Sequence, residues 1–301
     1  MNIIFHGGEP LLYGLDRFRK IIEYEANLVA LGMEISNSIQ TNSSLITDDW
    51  ISFFAKNNFS VGISIDGPLG LNGHIGMSAI EAQNSAISSY KALKENGVEC
   101  GILSVITTKH LKYPNEFFNF LIDNDISSVG LCYCYNRIDN KNINPVSLGE
   151  FLVELYKLYY SSPKRIRIRE FDMATRQILK RPRHECAMSC RESCGSFLTI
   201  RPDGYVEFCD DYDLKREGTL GSIDNLTLQQ LLETITYQEI RNRAIEIINS
   251  KCEKCKVYSI CRSGCMRNDS EGTNYFCETF KILYPFIEKT VNNCTKNISV
   301  R

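Results

Sequence analysis

Along the first 135 residues, short apolar runs alternate with longer segments in which apolar positions recur every three or four residues. Asn2–Phe5 is an apolar run closed by His6-Gly7-Gly8-Glu9-Pro10, the pattern of a strand ending in a turn. Leu15–Leu31 has helical apolar spacing and stops at Gly32. Glu34–Gln40 reads as a strand. Asp48–Asn57 follows as a helix whose core face carries Trp50, Phe53 and Phe54, and Phe59–Ile65 is a strand ending at Asp66-Gly67-Pro68. Ile80–Glu95 is a helix ended by Gly97, and Val98–Thr107 a strand rich in branched residues. Glu116–Asn124 and Ser128–Tyr135 repeat the helix–strand pair. Such alternation predicts parallel βα units arranged as an open or closed barrel.

Further on, residues 136–144 are polar, a long helix runs over Ser147–Tyr160, and Lys164–Arg169 is a basic run expected to be solvated surface. Phe197–Ile200 and Tyr205–Phe208 flank Pro202-Asp203-Gly204, the signature of a hairpin that would bring Cys194 and Cys209 together. Thr227–Ile248 is helical with one break. Composition adds little against this picture: 43% hydrophobic, 23% charged and a net charge of −2 describe an ordinary globular chain. They supply no electrostatic footprint for nucleic acid or an anionic membrane. With no spanning apolar run and no leader pattern in MNIIFHGGEP, the expectation is a cytoplasmic protein without a membrane partner.

The 13 cysteines change the picture. Cys194 and Cys209 bracket Gly204 as C-x9-G-x4-C; Cys252, Cys255, Cys261 and Cys265 read C-x2-C-x5-C-x3-C; Cys277 follows. Paired thiolates at such spacing point to iron–sulfur sites, structural zinc or disulfides, and a reducing compartment disfavours the last. The array resembles the seven-cysteine pattern of the SPASM domain, the C-terminal extension of radical S-adenosylmethionine (SAM) peptide and protein maturases. The resemblance implies two auxiliary [4Fe-4S] clusters: one on Cys194, Cys209, Cys265 and an upstream thiol, either Cys190 or Cys186, the other on Cys252, Cys255, Cys261 and Cys277.

Three strand ends carry further chemistry. Gly7-Gly8-Glu9-Pro10 lets a ligand approach the backbone beside a carboxylate suited to an ammonium. Gln40-Thr41-Asn42 and Ser64-Ile65-Asp66-Gly67-Pro68 place short polar side chains where strands stop, the functional end of such a barrel. In this order the three resemble the SAM-binding half of radical SAM enzymes, above all anaerobic sulfatase-maturing enzymes. That resemblance implies SAM contacts at Gly7, Gly8, Glu9, Gln40 and Ser64. It also implies a catalytic base at Asp210, in a Cys-Asp pair where a poorly hydrated pocket beside a cluster would suit proton abstraction.

The fold expected is α/β: a partial (β/α) radical-SAM TIM-like barrel over residues 1–165, missing its first βα unit, then a small cysteine-rich α+β SPASM domain over 166–301. The family's C-x3-C-x2-C loop, which carries a third [4Fe-4S] cluster, precedes the GGEP strand and is not in the sequence. Cys186, Cys190 and Cys194 read C-x3-C-x3-C and are assigned to the auxiliary region instead. The reading expects a natural protein about 70 to 100 residues longer at its N-terminus, from the usual size of βα units, against a degenerate form. Relatives also place an arginine soon after SIDGP; here His74 is the only cationic candidate between Leu69 and Tyr90.

Cys100, Cys132 and Cys134 read as buried core thiols and His6 as a turn cap or a SAM-site wall. The activity implied is hydrogen abstraction from a residue of a peptide or protein by a 5′-deoxyadenosyl radical, with a flavodoxin or ferredoxin as electron donor. A cluster-bearing pseudoenzyme that binds peptide without cleaving SAM is the alternative, and a structural zinc scaffold a more distant one.

Overall fold

Each strand of the first part grows from one of the short apolar runs, and each pairs with the next in the sequence. The computed structural model describes residues 1–68, 78–135, 142–181, 191–210, 218–250, 252–270 and 272–298. β1 (Asn2–Phe5), α1 (Leu15–Ala30), β2 (Ser36–Thr41), α2 (Asp48–Lys56), β3 (Ser60–Ser64) and α3 (Ala79–Glu95) come first. β4 (Cys100–Ile106), α4 (Pro114–Asp123), β5 (Ser128–Tyr133), α5 (Pro145–Ser161) and β6 (Arg167–Ile168) complete the series. The six strands form one parallel sheet in the order β1-β2-β3-β4-β5-β6. Right-handed crossovers between sequential neighbours put all the helices on one side, the winding of a partial (β/α) barrel.

The two faces of this sheet differ. Ile39, Val61, Ile63, Ile102, Ile106, Val129 and Leu131 are buried on the helix side. The other side carries Ser38, Gln40, Ser60, Gly62, Ser64 and Gly101. Parallel strands covered on both faces are apolar throughout, so the polar inner face is kept for something other than packing. Local signals fix the helices. Ser78 and Glu81 close a capping box at the start of α3, and α4 begins on Pro114, whose missing N–H costs nothing there. Asp48 and Asp49 at the first turn of α2 and Lys56 at its last match the helix dipole. Phe18 meets Trp50 edge-to-face at 5.2 Å and Trp50 stacks on Phe54 at 5.4 Å, so the aromatic face predicted for α2 is core.

The basic run 164–169 is more than solvated surface. Arg165-Ile166-Arg167-Ile168 alternates exposed and buried positions, and its second half is β6. Charge at every other position hid a strand of period two. The chain falls into two compact units, Met1–Cys134 with Lys157–Arg169, and Tyr135–Tyr156 with Glu170–Arg301.

In the second unit, α6 (Arg169–Ile178) follows β6, and its buried Phe171 packs edge-to-face on Tyr156 of α5. The predicted hairpin forms as β7 (Thr199–Ile200) and β8 (Tyr205–Glu207), and β9 (Thr219–Ser222) adds a third antiparallel strand. The helical stretch 227–248 is two helices, α7 (Leu228–Leu232) and α8 (Ile235–Ser250), parted at Glu233-Thr234. Then come α9 (Tyr258–Cys261), the small hairpin of β10 (Asp269–Ser270) and β11 (Thr273–Asn274), and α10 (Cys277–Ile298). Val206, Phe208, Leu220, Leu231, Ile240 and Met266 form the core here, with Cys194 and Cys209 packed against it. α10 lies close on α5: a Cβ on Gly149 would come 3.0 Å from Ile282, and the Thr279 hydroxyl donates to the Pro145 carbonyl at 2.6 Å. Among the described residues no helix is long and apolar enough to cross a membrane.

Candidate functional site

In the first unit the ends of β1, β2 and β3 bring the predicted residues into two small hydrogen-bonded groups. Glu9, just past β1, accepts at Oε1 from the Thr41 hydroxyl at 2.8 Å and from Leu11 N–H at 3.1 Å. Its Oε2 accepts from Asn42 N–H at 2.9 Å. A carboxylate offers about four lone-pair positions, so the fixed group still has room for an ammonium. No atom stands within 4 Å of where a Cβ would sit on Gly7 or Gly8, and Gly7 has φ +116°. The two glycines therefore form an open lip beside the carboxylate. His6 caps this turn, its Nδ1 accepting from Gly7 N–H at 2.7 Å.

On the inner face Gln40 Nε2 donates to Ser64 Oγ at 3.0 Å. A Cβ on Gly62 would come 2.1 Å from Gln40 Oε1, so that glycine lets the glutamine lie flat across the sheet. Asp66-Gly67-Pro68 proves to be a brace as well as a turn. Asp66 Oδ1 accepts from Val105 N–H at 3.0 Å, and His110 Nε2 donates to the Asp66 carbonyl at 2.7 Å. Burial pushes the Asp66 carboxyl above its usual range, against the opposing pull of the Val105 N–H and of His110. One cation on this face went unassigned in the sequence: the Arg169 guanidinium lies 2.9 Å from where a Cβ would stand on Gly130. Gly130 shares a level with Leu103 and Ser64. His74 lies outside the described residues.

In the second unit the described thiols of the array fall into two groups. Cys194, Cys209 and Cys265 line one cleft with Ser193, Phe208 and Met266. Arg241 donates to the Cys194 carbonyl and the Tyr237 hydroxyl to that of Gly195 at 3.0 Å, so α8 fixes the turn. Gly195, at φ +82°, has no space for a Cβ against Phe208. Cys190, the proposed fourth ligand, and Cys186 lie outside the described residues.

The other four thiols act on one another. Burial pushes the Cys261 thiol up, and Cys277, Cys252 and Cys255 push it further. The Cys277 thiol is also raised, by burial first and then by Cys252. Both sulfurs meet a backbone hydrogen bond, from Ser263 and Asn274 respectively. None of the described cysteines forms a disulfide. Among the described residues no three His, Cys, Asp or Glu side chains converge tightly enough to hold a single metal ion. Tetrahedral zinc would draw its sulfurs to within about 3.8 Å of one another. A four-iron cube takes one thiolate at each of its separate corners, so its ligands stand further apart than that.

Two expectations need correction. Asp210 is exposed rather than set in a poorly hydrated pocket, and it accepts from the Cys209 thiol at 3.6 Å. Cys100, Cys132 and Cys134 are half-buried rather than core. Cys132 is level with exposed Val105 on the inner face.

Residues 190–256 match SPASM, an iron-sulfur cluster-binding domain. Over 308 residues the chain is 30% identical to the cysteine-type anaerobic sulfatase-maturating enzyme of Clostridium novyi, covering 97% of this chain and 80% of that protein. The chain belongs to the anaerobic sulfatase-maturating enzymes. Its counterpart in Clostridium perfringens, also cysteine-type, is 29% identical over 317 residues, covering 99% of this chain and 84% of that one. A solved sulfatase-maturating enzyme, native anSMEcpe with bound AdoMet and Cp18Cys peptide, superposes with a TM-score of 0.86 at 27% identity, over 99% of this chain and 86% of that one. The radical SAM/SPASM lineage and its α/β architecture are those of an enzyme family.

Proposed function

We propose that the chain modifies one residue of a peptide or protein substrate by radical hydrogen abstraction, with SAM on the barrel (1–165) and two auxiliary [4Fe-4S] clusters in the thiol-rich part (166–301). SAM bound to a reduced third [4Fe-4S] cluster, whose C-x3-C-x2-C site this sequence does not contain, would take up one electron, release methionine and supply the 5′-deoxyadenosyl radical that takes the hydrogen atom. Gly7 and Gly8 leave the ligand's ammonium an open approach, and Glu9, held by three donors, neutralises it. Gln40 donates to Ser64, and the two side chains fix one another on the inner face. Cys194, Cys209 and Cys265, with Cys190, would hold one cluster, and Cys252, Cys255, Cys261 and Cys277 the other.

Asp210, beside the Cys209 sulfur, would accept the substrate proton. Its exposure means that the substrate itself would have to exclude water there. A flavodoxin or ferredoxin is the proposed electron donor. A cysteine in the substrate is favoured by the cysteine-type relatives.

The observation that carries this reading is the cleft lined by Cys194, Cys209 and Cys265, in the same unit as buried Cys261, which feels Cys277, Cys252 and Cys255. Anaerobic reconstitution of the full chain tests it: about eight irons and eight sulfides per chain are expected from two cubane clusters. Zinc without sulfide would refute it. The same preparation, titrated with SAM and a cysteine-containing sulfatase peptide, should bind both. Absence of any SAM binding would leave only the cluster half standing.

A further inference from the structure

Arg191 is fully buried, lies three residues before Cys194, and is claimed by none of the roles above. Its Nη1 donates to Asp269 Oδ2 at 2.7 Å and its Nη2 to Asp269 Oδ1, a bidentate pair. Nη2 also reaches the Ser263 carbonyl at 3.4 Å, and the Arg191 N–H donates to the Arg262 carbonyl at 3.3 Å. The segment so gripped is unusual. Arg262, Ser263 and Gly264 have φ of +50°, +68° and +65°, three successive left-handed residues of which two bear side chains. L-residues avoid that conformation unless the surroundings impose it. The left-handed turn runs from Cys261 to Cys265, that is, from a thiol of one proposed cluster to a thiol of the other.

Around it, buried polar atoms lack partners. Arg191 Nε, Ser193 Oγ and Ser263 Oγ all carry hydrogen-bond donors, and none has an acceptor. Ser193 lines the cleft with Cys194, Cys209 and Cys265, and Ser263 stands midway between Cys261 and Cys265. Buried donors are nearly always satisfied, so three orphans at one place imply an acceptor that belongs there. An anionic sulfur, thiolate or inorganic sulfide, is the acceptor this chemistry provides.

We propose that Ser193, Ser263 and Arg191 donate hydrogen bonds to the sulfur of the auxiliary clusters, and that the Arg191–Asp269 pair is the strut holding the left-handed turn, and with it both ligand segments, in register. The inference rests on the two-cluster reading above. These are positioning residues, and their work is to set the clusters' reduction potentials. Hydrogen bonds to sulfur favour the reduced, more negative cluster.

The test is a potentiometric titration, followed by electron paramagnetic resonance, of the anaerobically reconstituted full chain. Ser193→Ala and Ser263→Ala each remove one hydroxyl and leave the backbone and the Arg191–Asp269 pair alone. Each should keep the full iron content while the ratio of reduced to oxidised cluster at a fixed poise falls about three- to tenfold, tenfold being 59 mV for one electron. The conservative Arg191→Lys keeps the charge but loses the fork, and should both shift the potential and broaden the signal. Iron-loaded Ser193→Ala and Ser263→Ala proteins with potentials and spectra like the parent's would overturn the inference alone. A parent chain that takes up no iron and sulfide would overturn the proposed function and this inference with it.

Discussion

The two sites of this protein solve the same problem in opposite ways. At the strand ends, the functional side chains complete one another: Glu9 is held by Thr41, Asn42 and Leu11, and Gln40 by Ser64. In the thiol-rich unit burial, and then neighbouring thiols, raise the Cys261 and Cys277 thiols, and the hydroxyls of Ser193 and Ser263 are buried without acceptors. The first site is preorganised by the protein alone and asks its ligand only to fit. The second, as proposed, is completed by the inorganic sulfur and iron that a SPASM domain binds. Preorganised polar groups give a ligand little to reorder on binding, whereas a site assembled from coupled thiols gains folding free energy from the metal it takes up.

The sharpest way to break the contrast is to remove a thiol from the second site. Cys261→Ala takes one ligand from the set with Cys252, Cys255 and Cys277. It should lower reconstituted iron from about eight to about four per chain. It should also lose the cooperative thermal transition of the second unit while the first still melts as in the parent. Iron assay with calorimetry reads both; iron unchanged at eight would show that Cys261 is core and not ligand.

Next in size is the buried ion pair. Arg191→Met leaves Asp269 without its guanidinium and three backbone carbonyl and carboxylate contacts unmade, a loss of about 3–5 kcal/mol. Adding Asp269→Leu should return most of it, because a buried pair replaced whole by apolar groups is nearly neutral. Urea unfolding of the four proteins of the cycle measures this. A double variant as unstable as the single one would mean that the strut acts through shape rather than charge.

At the strand ends the expected effects are smaller and fall on binding rather than on folding. Glu9→Gln keeps an acceptor for Thr41 but deletes the negative charge, and should weaken SAM about tenfold, or about 1.4 kcal/mol. Gly62→Ala places a Cβ where Gln40 Oε1 now lies, at 2.1 Å. The glutamine can swing away, so stability should change by less than about 1 kcal/mol while the bond to Ser64 is lost. Equilibrium dialysis with SAM, paired with melting curves, separates the two. A variant that loses stability but not affinity would deny the preorganisation argued for this site.

How much of this contrast could be read in the sequence follows from the range of the forces involved. The first five strands and their helices were legible because period and capping are local: Ser78 with Glu81, Pro114 at the start of α4, Gly97 after α3. The thiols were legible because cluster ligands cluster in sequence too. What was hidden depends on distant partners. Arg191 looks like a surface residue until Asp269, 78 positions away, claims it. Arg169 sits in a basic run that reads as solvent-facing, and its guanidinium lies over Gly130 of the neighbouring strand. β9 and α10 were missed for a related reason. β9 is four residues whose pairing with β8 supplies what its own pattern lacks, and α10 begins at a cysteine already assigned to chemistry.

The smallest expected effect separates a lone thiol from coupled ones. Cys100, on the first unit's sheet, has its thiol pushed up to about 11, chiefly by burial, with Lys94 pulling it down and Glu99 pushing it up. The folded state thus holds the proton to higher pH than the unfolded chain does. Its contribution to stability is fully present below the unfolded value, near 9.0, and is lost as pH rises towards 11. Because the thiol is only half-buried, solvent screening reduces that loss to about 1 kcal/mol. Cys100→Ala should therefore flatten the fall in stability between pH 9 and 11, measured by urea unfolding of the first unit's transition in the full chain. Below pH 8 the two proteins should differ only by a constant offset from the lost sulfur. If the slope of that transition persists in the variant, Cys100 is not the group whose titration weakens the first unit.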